Sequence, residues 1–191
     1  MIKTIIASVA LCLCFSFAKA QNSNSLEVSF DYTKQQGPGS NQYGVWIENA
    51  KGEVVKTLFI TSFTTKGSNR GGQQSDRGYR FRPTCVQTWV SHAKADEQSD
   101  SQLDGYTGAT PKESGKQIFT WDFTDQNGKK VERGKYKVFI EATYFFNGIT
   151  TYCGEFDVNG KPAEIKLSAS ENDTSVTDHK DMVQNVRAIL K

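Results

Sequence analysis

A mainly β chain, built as a β-sandwich with one loop and short-helix insertion, is the fold this sequence predicts. Three observations predict it. Apolar and polar residues alternate through much of the 191-residue chain, glycine-bearing turns separate the alternating runs, and a polar, glycine-rich stretch interrupts them from about residue 61 to 115. Alternation is the strand period, because successive side chains leave opposite faces of a strand.

Residues 1–20 read as a signal peptide. Lys3 is a short basic start, Ile5 to Phe17 is an apolar run too short to span a bilayer, and Ala18-Lys19-Ala20 has the small-x-small form of a cleavage site. Export, cleavage after Ala20 and one domain over residues 21–191 are therefore expected. Cys12 and Cys14 leave with the leader, and neither follows a small residue as a lipid-anchored cysteine would.

The elements follow in order. Leu26, Val28, Phe30 and Tyr32 line one face of a first strand, ended by Gly37-Pro38-Gly39-Ser40. Tyr43–Glu48 and Glu53–Ile60 flank the hairpin turn Asn49–Gly52. From Thr61 to Arg80 the composition predicts a long surface loop. The spacing of Val86, Trp89, Val90 and Ala93 predicts a short helix from about Thr84 to Ala95 with Trp89 inward, and the acidic run Asp96–Asp104 leads into a second loop. Strands resume at Gln117–Phe123, turn at Asp125–Gly128, and continue through the run Tyr136–Phe146. Asn147-Gly148 and Asn159-Gly160 are type I′ turn signals, leading into Ile149–Val158 and Ala163–Leu167. The segment from Met182 to Leu190 fits both periods, and a strand is the preferred reading.

Composition excludes several functions. A mean hydropathy of −0.55 is too polar for a membrane-embedded body. The 23 Lys and Arg against 21 Asp and Glu include Lys3 and Lys19, so the mature chain balances to zero. That balance argues against a nucleic-acid binder or a polybasic membrane-surface protein. Cys85 and Cys153 are the thiols left after processing. An oxidising compartment would let them pair, closing a long loop worth about 4 kcal/mol in the chain-entropy model, and two buried free thiols are the alternative. With His92 and His179 the only histidines and no CxxC, a zinc site has little to stand on. Asp122, Asp125 and Asn127 lack the spacing of a calcium loop and fit a turn. No nucleophile–base constellation stands out.

The stretch Asp104-Gly105-Tyr106-Thr107-Gly108-Ala109-Thr110 is the most informative. Gly105 and Gly108 disfavour regular structure, and Pro111 pushes Thr110 toward an extended backbone, so a reachable threonine is flanked by small residues. These seven residues resemble the flavinylation motif Asp-x-x-Ser/Thr-Gly-Ala-Thr of the flavin-bearing subunits of sodium-pumping and Rnf-type electron-transfer complexes. All five defined positions match: Asp104, Thr107, Gly108, Ala109 and Thr110. From average residue frequencies, such a match arises by chance about once in a thousand chains of this length or less. The resemblance implies FMN joined through a phosphoester to Thr110 by a dedicated magnesium-dependent FMN transferase acting outside the cytoplasm.

A wider resemblance rests on Trp46-Ile47-Glu48, Arg82 with Trp89, the motif, Trp121-Asp122, Asp125, Gly128, Gly134-Lys135-Tyr136 and Glu141. Together they are similar to a family of predicted periplasmic proteins of undefined function, often encoded beside PepSY-type transmembrane proteins and the FMN transferase. The segment from Trp121 to Tyr136 is similar to the immunoglobulin-like domain of the flagellar hook cap protein, which implies an immunoglobulin-like β-sandwich. The chain departs from the pattern at Phe123, where glycine is common, and in a long loop before Arg80. The resemblance implies a redox carrier exchanging electrons with a membrane partner, not a catalyst with its own substrate. A non-catalytic immunoglobulin-like binding or adhesion module and a flavin-dependent reductase are the competing classes. Trp121, Tyr136 and Tyr144 read as core. Trp89 and Tyr106 are the aromatics nearest the motif in sequence and the candidates for contact with the isoalloxazine, and Arg70, Arg77 and Arg80 are cations that either meet a phosphate or stay solvated.

Overall fold

The structure is a computed structural model that describes residues 23–191 except 38, 71–72, 75, 145–147 and 172–180. The predicted leader with its cleavage site after Ala20, the turn residue Asn147, Phe146 and His179 lie outside the described residues, as do the surroundings of the Arg70 side chain. Twelve strands are described: β1 (Leu26–Tyr32), β2 (Asn41–Asn49), β3 (Val54–Thr61), β4 (Asn69–Arg70), β5 (Gln73–Gln74), β6 (Thr107–Gly108), β7 (Gly115–Trp121), β8 (Lys135–Tyr144), β9 (Gly148–Asp157), β10 (Ala163–Glu164), β11 (Ser168–Glu171) and β12 (Val183–Leu190). With 46% of the described residues in strands and 15% in helices, the protein is mainly β.

Two sheets make the sandwich. One has the order β10-β12-β1-β7, and the other the order β11-β9-β8-β2-β3-β6. Leu26, Val28, Phe30 and Tyr32 of β1 face inward as their alternation requires, against Tyr43, Val45 and Ile47 of β2 and Val138, Ile140 and Ala142 of β8. Aromatic rings close both ends of this core. Phe30 meets Tyr43 edge-on at 5.3 Å, while Trp121 packs at 5.1 Å against Phe123 and at 5.5 Å against Tyr136. Trp121, Tyr136 and Tyr144 are thus core residues. Met182 begins the last segment, and β12 pairs antiparallel with β1, so the strand reading of that segment is correct.

The insertion is where the fold departs from expectation. Between β3 and β7 lie α1 (Ser62–Lys66), α2 (Gly78–Phe81), α3 (Gln87–His92), a 3-10 turn (Ala95–Glu97) and α4 (Asp100–Asp104). Thr61–Arg80 is therefore no surface loop: Thr64, Thr65, Gly78 and Tyr79 are buried. Likewise the run Asp96–Asp104 is helical in two pieces. These pieces cover the outer face of the second sheet and form a second apolar cluster of Trp46, Ile60, Tyr79, Cys85, Val86, Trp89, Ala95, Leu103 and Tyr106. Strand β2 is consequently buried on both faces, the usual condition of a strand between two layers. The predicted helix over 84–95 is shortened to α3 because Val86 and Lys94, at φ +46° and +49°, adopt left-handed backbone at its two ends. Trp89 still points inward and is fully buried.

Candidate functional site

The motif is assembled by α4 and β6. Ser99 opens α4 with a capping box: its side chain accepts from the Gln102 backbone N–H, and the Gln102 side chain accepts from the Ser99 N–H. Leu103 is buried, which turns the helix so that Asp104 stays exposed. At the helix end, Thr107 Oγ1 donates to the Leu103 carbonyl at 2.7 Å, satisfying one of the acceptors a helix terminus leaves open. Thr65 Oγ1 lies 2.9 Å from the same hydroxyl, so with its proton on Leu103, Thr107 accepts from Thr65.

Strand β6 then pairs parallel with the end of β3, Ile60 opposite Thr107 and Thr61 opposite Gly108. Gly108 is required by packing, since a Cβ there would sit 2.2 Å from Phe59 Cε2. Gly108 therefore lies in a short strand, against expectation, while Gly105 ends α4 as its C-cap and stands in a turn with right-handed backbone at φ −61°. Beyond the strand, Ala109 is exposed and Thr110 half-buried. The Thr110 hydroxyl has no hydrogen-bond partner among the described residues. Asp104 pairs with Lys66 at 2.8 Å.

Beside the motif lies a cleft of about 450 Å³ lined by Thr65, Lys66, Arg77, Arg80, Asp100 and Asp104, among others. Arg77 is largely buried and Arg80 is exposed, and both are paired. Arg77 donates to the Ala95 carbonyl at 2.8 Å, to the Gln98 carbonyl at 2.9 Å and to Asp100 at 2.9 Å, tying α2 to the 3-10 turn and to α4. Arg80 bridges Asp96 and Asp76, and its hydrogen bonds hold both carboxyls below the usual carboxylate range, helped at Asp76 by a still larger contribution from the Arg77 backbone N–H. The Tyr106 hydroxyl donates to Gln98, and burial pushes its pKa up to about 12. Tyr106 also meets Trp89 edge-on at 6.0 Å. Both aromatics belong to the second core, as expected for an inward Trp89.

The expected Cys85–Cys153 disulfide is absent, and both thiols are free. Cys85 lies under the insertion, 3.2 Å from Thr64 Oγ1 and 3.4 Å from Arg82 Nη2. Cys153 pairs in register with Phe139, whereas the β8 residue near Cys85 is Thr143, four positions along the strand. Four residues of strand span about 13 Å, well beyond the reach of a disulfide.

Sequence reasoning missed a buried polar group beneath the insertion. Trp46 Nε1 donates to Glu48 Oε1 at 2.6 Å, and His92 Nδ1 lies 2.6 Å from the same oxygen. Glu141 is fully buried on the neighbouring strand, and burial raises its pKa despite contacts from Thr88 and Thr151. Arg82, also buried, donates to Ser40 Oγ and lies over the Phe63 ring. No cluster of metal-ligating side chains occurs among the described residues.

Residues 24–173 match a family described as predicted periplasmic protein, DUF2271. The chain belongs to this family. Its description supports a periplasmic location and says nothing of an activity. No curated protein and no solved structure matches the chain. Within the DUF2271 region the departure at Phe123 has a physical setting: the residue sits at φ +60°, a conformation that glycine adopts without strain, and its ring is held against Trp121. The matched region spans the motif, the insertion and every described strand except β12, and it contains the buried Glu48, Arg82, Trp89 and Glu141.

Proposed function

We propose that this member of DUF2271 is an exported, immunoglobulin-like flavin carrier with FMN joined through a phosphoester to Thr110. The observation that carries the reading is the different state of the motif's two hydroxyls. Thr107 is consumed by Leu103 and Thr65, while Thr110 lies past the end of the short strand with its hydroxyl unbonded. Asp104 is exposed, Gly108 admits nothing larger, and Ala109 leaves space for a modifying enzyme to reach the neighbouring hydroxyl. These features fit covalent attachment at Thr110.

When bound, the flavin supplies the redox chemistry, and the chain supplies attachment, position and local charge. Thr107 and Gly108 lock the strand that presents Thr110. Lys66, Arg77 and Arg80 surround the adjoining cleft with cations whose partners are all carboxylates or polar groups of the insertion, so the local field is balanced. The partners of this reading are an FMN transferase and a PepSY-type transmembrane redox protein. Export is directed by the leader, which is removed after Ala20.

Co-expression with the transferase, followed by denaturing electrophoresis under ultraviolet light, tests the assignment. The wild type and Thr107→Ser should fluoresce and Thr110→Ala should not. A fluorescent Thr110→Ala band would refute it, and a dark wild-type band would return the chain to the binding-module class.

A further inference from the structure

A larger cleft, about 710 Å³, lies at the seam between the sandwich and the insertion. Five separate segments meet there: the β2–β3 turn, the turn after α3 with His92 and Lys94, Gln98, α4 with Gln102, and the β7–β8 turn with Gln126 and Asn127. Its volume is that of a small-molecule pocket. It flanks the first half of β3 and is lined in part by Gly105 and Tyr106 of the motif, whereas β6, which leads to Thr110, pairs with the last two residues of that strand and runs parallel to it, away from the cleft.

The polar groups of the lining are sorted by what the fold has already used. Gln126 Oε1 accepts from the Thr57 backbone N–H at 2.9 Å. Gln102 Oε1 accepts from the Ser99 N–H at 2.9 Å. Because each oxygen is fixed by a backbone donor, both amide NH₂ groups are left as donors without acceptors among the described residues. Gln98 is spent at both ends, on Tyr106 and on the Ala93 carbonyl. The Lys94 ammonium has no partner among the described residues, and Lys94 lines the cleft together with His92.

His92 is fixed from behind. Its Nδ1 is held by Glu48, which is buried and itself anchored by Trp46, leaving Nε2 on the opposite ring edge. Glu48 thereby fixes the ring's orientation, with Nε2 turned away from the buried carboxylate. The acidic group on the rim is Glu53, and one of its oxygens already accepts from Asn49 Nδ2 at 2.7 Å.

We infer that this cleft is a second ligand site, which shares Gly105 and Tyr106 with the flavin-attachment motif but not Thr110, and which binds a small oxyanion through Lys94 and the amide groups of Gln102 and Gln126, with His92 on its wall. Carboxylate and phosphate share the required chemistry, a compact cluster of strong acceptors facing several donors. No bond is made or broken, and Glu48 acts as a positioning residue for the imidazole.

Isothermal titration of the mature chain, made without the transferase, tests this with succinate in one arm and inorganic phosphate in the other. Saturable one-site binding of either is expected, and the arm that responds identifies the class. Gln102→Glu and Gln126→Glu keep an oxygen for the Ser99 and Thr57 backbone donors while replacing the free NH₂ with a negative oxygen. Each should weaken binding about tenfold or more, and Thr110→Ala should leave it unchanged. Saturation by neither anion up to about 10 mM would overturn the proposal. So would unchanged affinity in the Gln102→Glu/Gln126→Glu double variant, whose fold is checked by its thermal transition.

Discussion

The sandwich and its insertion are held by different physics. Between the two sheets the contacts are almost wholly apolar, with Leu26, Val28, Phe30, Val45, Ile47, Val138 and Ile140 fully buried. Under the insertion, a smaller apolar cluster around Trp46 and Trp89 is surrounded by directed contacts: Arg77 to two carbonyls, Arg82 to Ser40, Trp89 Nε1 to Thr57, and His92 to Glu48. Hydrophobic burial is non-directional and tolerant, whereas a buried polar contact fixes one geometry and is costly to break. The sandwich thus acts as scaffold, and the insertion as the layer that gives the motif its shape.

The largest effect expected from this contrast is in the scaffold. Trp121→Ala empties a fully buried site and removes the hydrogen bond to the Thr124 carbonyl, and should cost about 3–5 kcal/mol in global stability, measured by urea unfolding. Arg77→Met should cost about 1.5–3 kcal/mol, but as opening of the insertion alone. Limited proteolysis should then cut between residues 76 and 104 much faster while the fluorescence-detected unfolding midpoint of the sandwich moves little. A midpoint shift as large as that of Trp121→Ala would erase the distinction between the regions. Gly108→Val should cost about 1–3 kcal/mol by overpacking against Phe59, and should lower the flavinylated fraction along with it.

The smallest expected effect is a pH dependence confined to the layer between the regions. Burial raises the Glu141 pKa above its unfolded value, so the folded state holds this proton more tightly than the unfolded chain. Stability from this group is therefore fully present below the ordinary glutamate range and is lost as pH rises through the unfolded and then the folded pKa. Glu141→Gln, which has no proton to lose, should flatten that part of the stability profile. An unchanged slope would show that Glu141 is not the group responsible.

How much was legible follows the same division. Alternation exposed β1, β2, β3, β8, β9 and β12 because a two-sheet core writes its period directly into the chain. Residues 61–104 conceal their structure because helices of four to six residues are too short to show a period. Ser99-Asp100-Ser101-Gln102 did carry a readable start signal for α4 in its capping box. The left-handed residues Val86 and Lys94, which cut α3 short, left no signal, since neither residue type favours that conformation. The motif was visible as a string, but the contact of Thr107 with Thr65 spans 42 positions, and only its bond to Leu103 is local. The pairing of His92 with Glu48 spans 44, and no local pattern announces it.

Peptide-resolved mass spectrometry of the exported protein, produced with the transferase, decides whether the insertion presents Thr110 for covalent FMN. The expected result is a chain beginning at Gln21 that is heavier by one FMN less one water, with the added mass on Thr110. An unmodified mass, or the same addition found on Thr107, would contradict it.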